Sequence, residues 1–394
     1  MTADRFAALH TPAGKAALDA ADDLADVDPL TAASALRSQG VDPALAATAL
    51  TQARLRRRAA AKFGPDATRM FFTANGLEQA TRPVVAARRA ARLREAGVDS
   101  VADLGCGIGS DSIAFARAGL RVHAVEADPE TAAVARANVD ALGLADMVTV
   151  ACGMAETADL SVVDAVFCDP ARRSGTGRRV FDPASYSPPW TFVSGLPEKV
   201  PATVLKLAPG IDHVLLPPGA EAEWVSVDRE LVETAAWCGP LAKVTRRATV
   251  LTVSGAASAA ELVGTGERQA PVGPVRRYLY DPDPAVVRSH LVAEFAATVE
   301  GNLADPTIAY VYADRATDTP FARRLEVVDV LPFSVKRLRA TLRAAGVGRV
   351  EILKRGSAVD PHQLRRDLRL AGNAAEVLVL TRVGGAQTVL RCRA

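Results

Sequence analysis

Asp103-Leu104-Gly105-Cys106-Gly107-Ile108-Gly109 is the run on which the reading of the fold turns. It closes a short apolar stretch that starts at Ser100, and a helical stretch, Ser110 to Ala118, follows and stops at Gly119. Three glycines thus alternate with other residues between a strand and a helix. Glycine lets the backbone turn tightly and lets a ligand approach with no Cβ in the way. The helix start behind the turn offers free N–H groups. A dinucleotide loop has the spacing G-x-G-x-x-G. Here the spacing is G-x-G-x-G, with an acid two residues before the first glycine. That carboxylate suits the ammonium of an amino-acid ligand and would repel a pyrophosphate.

Outward from the turn, the pattern alternates. RVHAVEAD at 121–128 predicts a second strand, residues 130–142 a helix ending near Gly143, and MVTVAC at 147–152 a third strand. VVDAVFCD at 162–169 predicts a fourth and TVLKLA at 203–208 a fifth. Strands alternating with helices of this length predict an α/β fold, a parallel sheet with crossover helices. EWVSV at 223–227 and ATVLTVSG at 248–255 extend the sheet at its far side. Glu126 ends the second strand, 21 residues after Gly105; Cys152-Gly153-Met154-Ala155 ends the third and Asp169-Pro170-Ala171-Arg172 the fourth. Open α/β sheets bind ligands at these carboxyl edges. Glu126 is placed to accept both ribose hydroxyls of a nucleoside, and the third strand's end is where an adenine ring would lie. The competing reading is that Asp103, Glu126 and Asp169 only cap helices or turns. Three acids at the ends of the first, second and fourth strands favour a site.

The flanks differ from this core. Residues 1–62 read as alanine-rich helices broken at Pro29, at Gly40 and before Pro43, and a basic helix runs from Ala80 to Ala96. Residues 256–324 are least legible, with a loop at 264–274, a helix over Pro284–Thr298 and a strand at 308–313. From Leu325 the order is β-α-β-α-β-β. Its second helix opens at Asp360 and Pro361, and its last two strands join through Gly384-Gly385. The expected domains are therefore 1–95 (helical), 96–255 (Rossmann-like), 256–324 (connecting) and 325–394 (small α+β).

A chain of 394 residues is long enough for two or three domains. Its start lacks the apolar run of a signal peptide, and no stretch of about 18 apolar residues occurs, so no membrane is expected and the cytoplasm is the default. The five cysteines are widely spaced without a C-x-x-C pair, which predicts free thiols and no metal. Cys168 and Cys238 read as packing residues. Net charge is +2, but unevenly spread. Residues 1–50 carry three basic and seven acidic groups, residues 51–95 eleven and three, and residues 325–394 thirteen and six. Two basic blocks suit a polyanionic partner such as RNA; solvated helix faces are the alternative. The basic helix positions are Arg54, Arg57 and Arg58, then Arg88 and Arg92, then Lys336, Arg339 and Arg343, then Arg365 and Arg369. Arg172, Arg173, Arg178 and Arg179 make a basic loop beside the fourth strand's end, and Tyr186, Pro188, Pro189 and Trp190 follow as a wall for a stacked base or as core.

Over residues 70–255 the sequence resembles the class I S-adenosylmethionine methyltransferases. The resemblance implies that Asp103, Gly105, Cys106, Gly107 and Gly109 meet the methionine part of the donor, that Glu126 and Ala127 hold its ribose, and that Met154 and Ala155 hold its adenine. Many members have Asp where Met154 stands; Glu156 is the nearest substitute. Leu77-Glu78-Gln79-Ala80-Thr81-Arg82-Pro83 resembles the L-E-Q-x-x-T-P element of RNA base-amine methyltransferases, which implies donor contacts for Gln79 and Thr81. The other reading is a helix start with Thr81 as N-cap. Asp169-Pro170-Ala171-Arg172 resembles the [DN]-P-P-[YFW] motif of amino-group methyltransferases, with Ala171 for the second proline and Arg172 for the aromatic; uridine methyltransferases with D-P-P-R are also similar. This implies that Asp169 and Pro170 orient an exocyclic amine for in-line attack, with Arg172 stacking on a base or holding a phosphate. The whole chain resembles a bacterial family with a helical N-terminal region, this core and a C-terminal THUMP-like domain, which implies RNA as partner. A methyltransferase for a small molecule or protein side chain, or a non-catalytic donor-binding RNA-binding protein, stays open.

Overall fold

The computed structural model describes residues 3–172, 186–255 and 257–393. The chain forms two compact units. One comprises Met1–Leu207, Asp212–Ala220 and Ala236–Ala242; the other comprises Ala208–Ile211, Glu221–Ala235 and Lys243–Ala394.

The first unit opens with helices α1 (Ala3–Ala8), α2 (Pro12–Asp22), α3 (Pro29–Ser38) and α4 (Pro43–Phe63). Proline is tolerated at a first helical position because its missing N–H has no intrahelical partner there. Thr11, Asp28 and Asp42 cap α2, α3 and α4 through their side chains. Two more helices follow, α5 (Ala74–Gln79) and α6 (Pro83–Glu95). The expected helix ran from Ala80 to Ala96, and the competing reading of the Leu77–Pro83 element had Thr81 as N-cap. In the structure Arg82 is the N-cap residue, and the Thr81 side chain is used elsewhere.

The sheet then starts. Its elements are β1 (Ser100–Leu104), α7 (Ser110–Arg117), β2 (Arg121–Glu126), α8 (Pro129–Ala141), β3 (Val148–Cys152) and β4 (Ala165–Cys168). A two-residue pair, β5 (Ala171–Arg172) with β6 (Tyr186–Ser187), precedes α9 (Trp190–Lys199) and β7 (Thr203–Leu207). The parallel order is β7-β4-β1-β2-β3. The chain moves outward from β1 through β2 to β3, then returns to the other side of β1 for β4 and β7. The carboxyl ends of β1 and β4 therefore flank the switch point, where such sheets open a crevice. The N-terminal helices share a core with α7 and α8: Phe6, Leu36, Phe63 and Phe72 are buried with Ile108, Ile113 and Val134. Asn138 on α8 ties the segment before α5 to the glycine turn. Its Nδ2 donates to the Phe71 and Ile108 carbonyls at 3.1 and 2.9 Å, and its Oδ1 accepts the Phe71 N–H at 2.6 Å.

In the second unit, β8 (Glu221–Val227) leads through Asp228 and Arg229, both at positive φ, into β9 (Glu230–Trp237), which belongs to this unit as far as Ala235. Two left-handed residues make the tight turn that suits a twisted hairpin. β10 (Arg246–Thr252) runs parallel to β8 and antiparallel to β11 (Ser258–Gly264). A second sheet contains β12 (Tyr278–Pro282), β13 (Asn302–Leu303), β14 (Val311–Ala313) and β15 (Ala322–Pro332). The single helix expected over Pro284–Thr298 is two, α10 (Pro284–Arg288) and α11 (Val292–Thr298), separated by His290 at φ +62°. Then come α12 (Val335–Ala344), β16 (Val347–Lys354), α13 (Pro361–Leu368), β17 (Ala374–Val383) and β18 (Ala386–Arg393). The strand order is β13-β14-β12-β15-β18-β17-β16. α12 and α13 bury Leu338, Leu342, Leu364 and Leu368 against Leu378, Leu380 and Val389. No helix among the described residues is long and apolar enough to cross a membrane.

Candidate active site

Gly105, Gly107 and Gly109 have φ of +81°, +57° and +87°, a region that side chains with a Cβ seldom occupy. The turn is fastened to β2, because Gly105 and Cys106 both donate to the Val125 carbonyl, at 2.9 and 3.1 Å. A Cβ on Gly105 would stand 3.1 Å from the Asp169 carbonyl oxygen, so glycine lets β1 and β4 ends approach. Above the turn lies a cavity of about 850 Å³. Asp103, Gly105, Cys106 and Gly107 line it, as do Glu126 and Ala127, Met154 and Ala155, Asp169 and Pro170, and Gln79 and Thr81. Gly109 does not. It sits behind the turn at the N-cap of α7, against Ala135. Arg172 is described through its backbone, which pairs with Tyr186. Arg173, Arg178 and Arg179 lie outside the described residues.

Asp103 is fully buried on a strand that is otherwise apolar apart from Ser100. Its Oδ2 accepts the Ser112 hydroxyl at 2.5 Å, and its Oδ1 accepts no hydrogen bond among the described residues. Burial pushes its carboxyl up to about 8, and the Asp111 charge pushes the same way. A buried oxygen with no donor is costly, and an ammonium is a donor that would satisfy it. The donor's amino-acid end therefore fits this wall. Glu126 has both oxygens engaged by backbone: Gly107 N–H at 2.9 Å to Oε2 and Asp128 N–H at 2.9 Å to Oε1. Each carboxylate oxygen keeps a second lone pair, enough for one hydroxyl apiece. Met154 is 49 % exposed and brings an apolar surface to the cavity beside Ala155 and Glu156.

Sequence reasoning missed Lys206 and Asp111. Lys206 on β7 places Nζ 2.5 Å from Asp169 Oδ2 and 3.0 Å from Thr81 Oγ1. The Thr81 hydroxyl donates to Asp111 Oδ2 at 2.5 Å, and Arg89 pairs with Asp111 Oδ1. Arg89 also stacks over the Phe167 ring at 4.5 Å. A lysine inside the apolar strand TVLKLA was the available signal for Lys206. Asp111 carries no such signal, because an acid in the first turn of a helix is ordinary. Lys62 of α4 donates to the Leu77 carbonyl at 2.9 Å and so holds the end of α5, which forms one rim of the cavity. Burial, with the Lys206 and Arg82 charges, lowers its ammonium to about 8.

The cysteines are buried apart from Cys152, and burial pushes the thiols of Cys106, Cys168 and Cys238 up. None of these three is poised as a thiolate nucleophile. Pro188 lines the cavity, whereas Tyr186 is buried against Trp190 with ring centroids 5.8 Å apart. Among the described residues no group of three His, Cys, Asp or Glu side chains is arranged to hold a metal ion.

Some basic positions read as surface are interior. Arg92 is buried, stacked 3.9 Å over the Trp237 ring and donating to the Leu241 carbonyl. Arg339 donates to the Asp367 carbonyl at the end of α13. Arg57 pairs with Asp26 at 2.9 Å. Lys336, Arg343, Arg365 and Arg369 are exposed.

A glycine turn, strand-end acids and a cavity at the switch point are the geometry of the class I methyltransferases. Comparison with known proteins agrees. Residues 101–172 match a methyltransferase domain model, residues 322–394 a THUMP domain-like model, and residues 2–59 a domain of unknown function. Two curated sequences from Mycobacterium tuberculosis, strains CDC 1551 and H37Rv, are both named as uncharacterized S-adenosylmethionine-dependent methyltransferases. Each is 38 % identical over 344 residues, covering 84 % of this chain and 91 % of theirs. A crystal structure from Porphyromonas gingivalis W83, assigned as a methyltransferase, shares the fold with a TM-score of 0.77 at 22 % identity, over 96 % of this chain and 97 % of that one. The chain belongs to the S-adenosylmethionine-dependent methyltransferases that carry a C-terminal THUMP-like domain, and S-adenosylmethionine is its methyl donor.

Proposed function

We propose that this enzyme methylates an exocyclic amine of an RNA base. The observation that carries the reading is Asp169. It stands at the end of β4, on the wall of the donor cavity, and its Oδ1 accepts no hydrogen bond among the described residues. S-adenosylmethionine supplies an electrophilic methyl group. In this reading Asp103 binds the donor's ammonium and Glu126 its ribose hydroxyls. Gly105, Cys106 and Gly107 provide close backbone approach, with Gly109 setting the helix start. Ala127, Met154 and Ala155 pack the nucleoside, Glu156 on the same cavity lining is the candidate to meet the adenine amine, and Gln79 and Thr81 close the rim. Asp169 Oδ1 and the Pro170 carbonyl accept from the two N–H groups of the amine and aim its lone pair. Such alignment lowers a barrier by several kcal/mol. Arg172 is the candidate to meet the base or its phosphate.

RNA as the acceptor is supported by the THUMP domain-like match, by Lys336, Arg343 and Arg365 exposed on α12 and α13, and by Arg369, exposed at the C-cap of α13. A cytoplasmic location accords with such a substrate. Mass spectrometry of modified nucleosides in RNA from cells with and without the protein tests the proposal. One methylated nucleoside should vanish with the protein and return with the wild-type chain but not with Asp169→Ala. An unchanged nucleoside profile would sink it. RNA binding should weaken steeply with salt as phosphate contacts release counterions.

A further inference from the structure

Lys206 belongs to no motif, yet it meets the one carboxylate assigned to the acceptor. β7 runs parallel to β4 with Val166 beside Thr203, Phe167 beside Val204 and Cys168 beside Leu205. Asp169 and Lys206 are the next residues of the two strands, so their side chains leave the sheet side by side at the switch point. The pair is partly shielded, with side-chain exposures of 14 % for Lys206 and 32 % for Asp169.

The direction of each hydrogen bond follows from proton count. Thr81 has a single hydroxyl proton, and it lies 2.5 Å from Asp111 Oδ2, a carboxylate already paired with Arg89. Thr81 Oγ1 must therefore accept from Lys206, and Lys206 donates to both Thr81 and Asp169 as an ammonium. The chain Arg89–Asp111–Thr81–Lys206–Asp169 crosses the cavity wall from α6 to the end of β4. Its last link occupies Asp169 Oδ2 and leaves Oδ1 to the acceptor.

We infer that Lys206 is a positioning residue of the acceptor site: it fixes Asp169 with one oxygen presented, and its charge, neutralising that carboxylate, confines the acceptor to an uncharged N–H or O–H group. The inference rests on the proposal that Asp169 faces the acceptor. A protonated lysine side chain or a guanidinium would find no net negative charge there and would approach the Lys206 ammonium. A neutral amine meets neither problem. In the transfer, the acceptor lone pair forms the new bond to the methyl carbon and the carbon–sulfur bond breaks with its electrons staying on sulfur. The proton then leaves the methylated nitrogen along the Asp169 Oδ1 hydrogen bond to water.

The test uses the full-length chain, radiolabelled donor and three acceptor fractions: RNA from cells lacking the protein, a small-molecule extract of the same cells, and polylysine. Lys206→Met should lower kcat on the labelled fraction about 100-fold, the scale of a misplaced reacting group. KM and S-adenosylhomocysteine affinity should stay within about threefold, and Lys206→Arg should recover much of the loss. If Lys206→Met does not fold, Lys206→Gln serves, because it keeps a donor and removes the charge. A kcat within about twofold of wild type in the uncharged variant overturns the inference. So does preferential labelling of polylysine. RNA left unlabelled while small molecules are labelled, with kcat still lost in Lys206→Met, overturns the RNA reading and upholds Lys206. Labelled RNA with an indifferent Lys206→Met does the reverse. Wild type that labels nothing overturns both.

Discussion

Glu126 holds the glycine turn by its backbone: Oε2 accepts the Gly107 N–H at 2.9 Å while Oε1 takes that of Asp128. One carboxylate thus shapes the loop and faces the cavity. Glu126→Gln keeps the size but turns an NH2 toward one of these N–H groups. Charge-assisted hydrogen bonds contribute about 1.5–3 kcal/mol each. Affinity for S-adenosylhomocysteine by calorimetry should therefore drop about 10- to 100-fold; an unchanged Kd would remove Glu126 from the donor site.

Asp103 leads to a proton count. Its carboxyl, pushed up to about 8 by burial and by Asp111, is protonated at pH 7 in the donor-free protein. An ammonium beside it displaces that proton. Calorimetry in phosphate and in Tris should show release of close to one proton per donor bound near pH 7, fading above pH 8, and none in Asp103→Asn. Equal release in both proteins would refute the assignment. A carboxyl held above its ordinary 3.8 favours the fold at low pH, and this contribution disappears as pH rises to about 8. Asp103→Asn should accordingly flatten the fall of Tm between pH 5 and 8.

Gly105→Ala tests the approach of β1 to β4. At φ +81° an added Cβ costs about 1–2 kcal/mol of stability, and it also presses on the Asp169 carbonyl. Gly143→Ala, at φ +74° with open space around it, shares the strain alone. Urea denaturation should give a loss for Gly105→Ala at least as large as for Gly143→Ala, while methyl transfer falls only in Gly105→Ala. Equal transfer would mean the contact with Asp169 is immaterial.

Asn138→Ala should destabilise the chain by about 2–4 kcal/mol, since it leaves buried Phe71 and Ile108 backbone groups without partners. Far-UV circular dichroism in urea measures it. A loss below about 0.5 kcal/mol would show that water replaces the side chain.

Much of the first sheet was legible because β1 to β4 are short apolar runs between glycine-marked helices, a signal that survives in the linear sequence. Asp103, Glu126, Met154 and Asp169, which line the cavity, were legible for the same reason: they sit at or beside strand ends. Lys206 and Asp111 were not, since their meaning comes from Asp169, Thr81 and Arg89, partners 22 to 125 residues away. Arg92 misled in the same way; nothing local says that Trp237 will cover its guanidinium. Between 256 and 324, β13 and β14 span two and three residues, too few for a period of two to declare itself. His290 breaks a helix at positive φ without the glycine that usually announces it.

β15 joins β12 on one side and β18 on the other, and the THUMP domain-like match begins at residue 322, where β15 begins. A segment synthesised after β12, β13 and β14 is therefore the one that seals the edge of β12. Until it emerges, strands made earlier offer open hydrogen-bonding groups to any neighbour. A message truncated ahead of β15 would yield a chain with an unfinished, adhesive sheet, so the solubility of this unit depends on strands made after most of their partners.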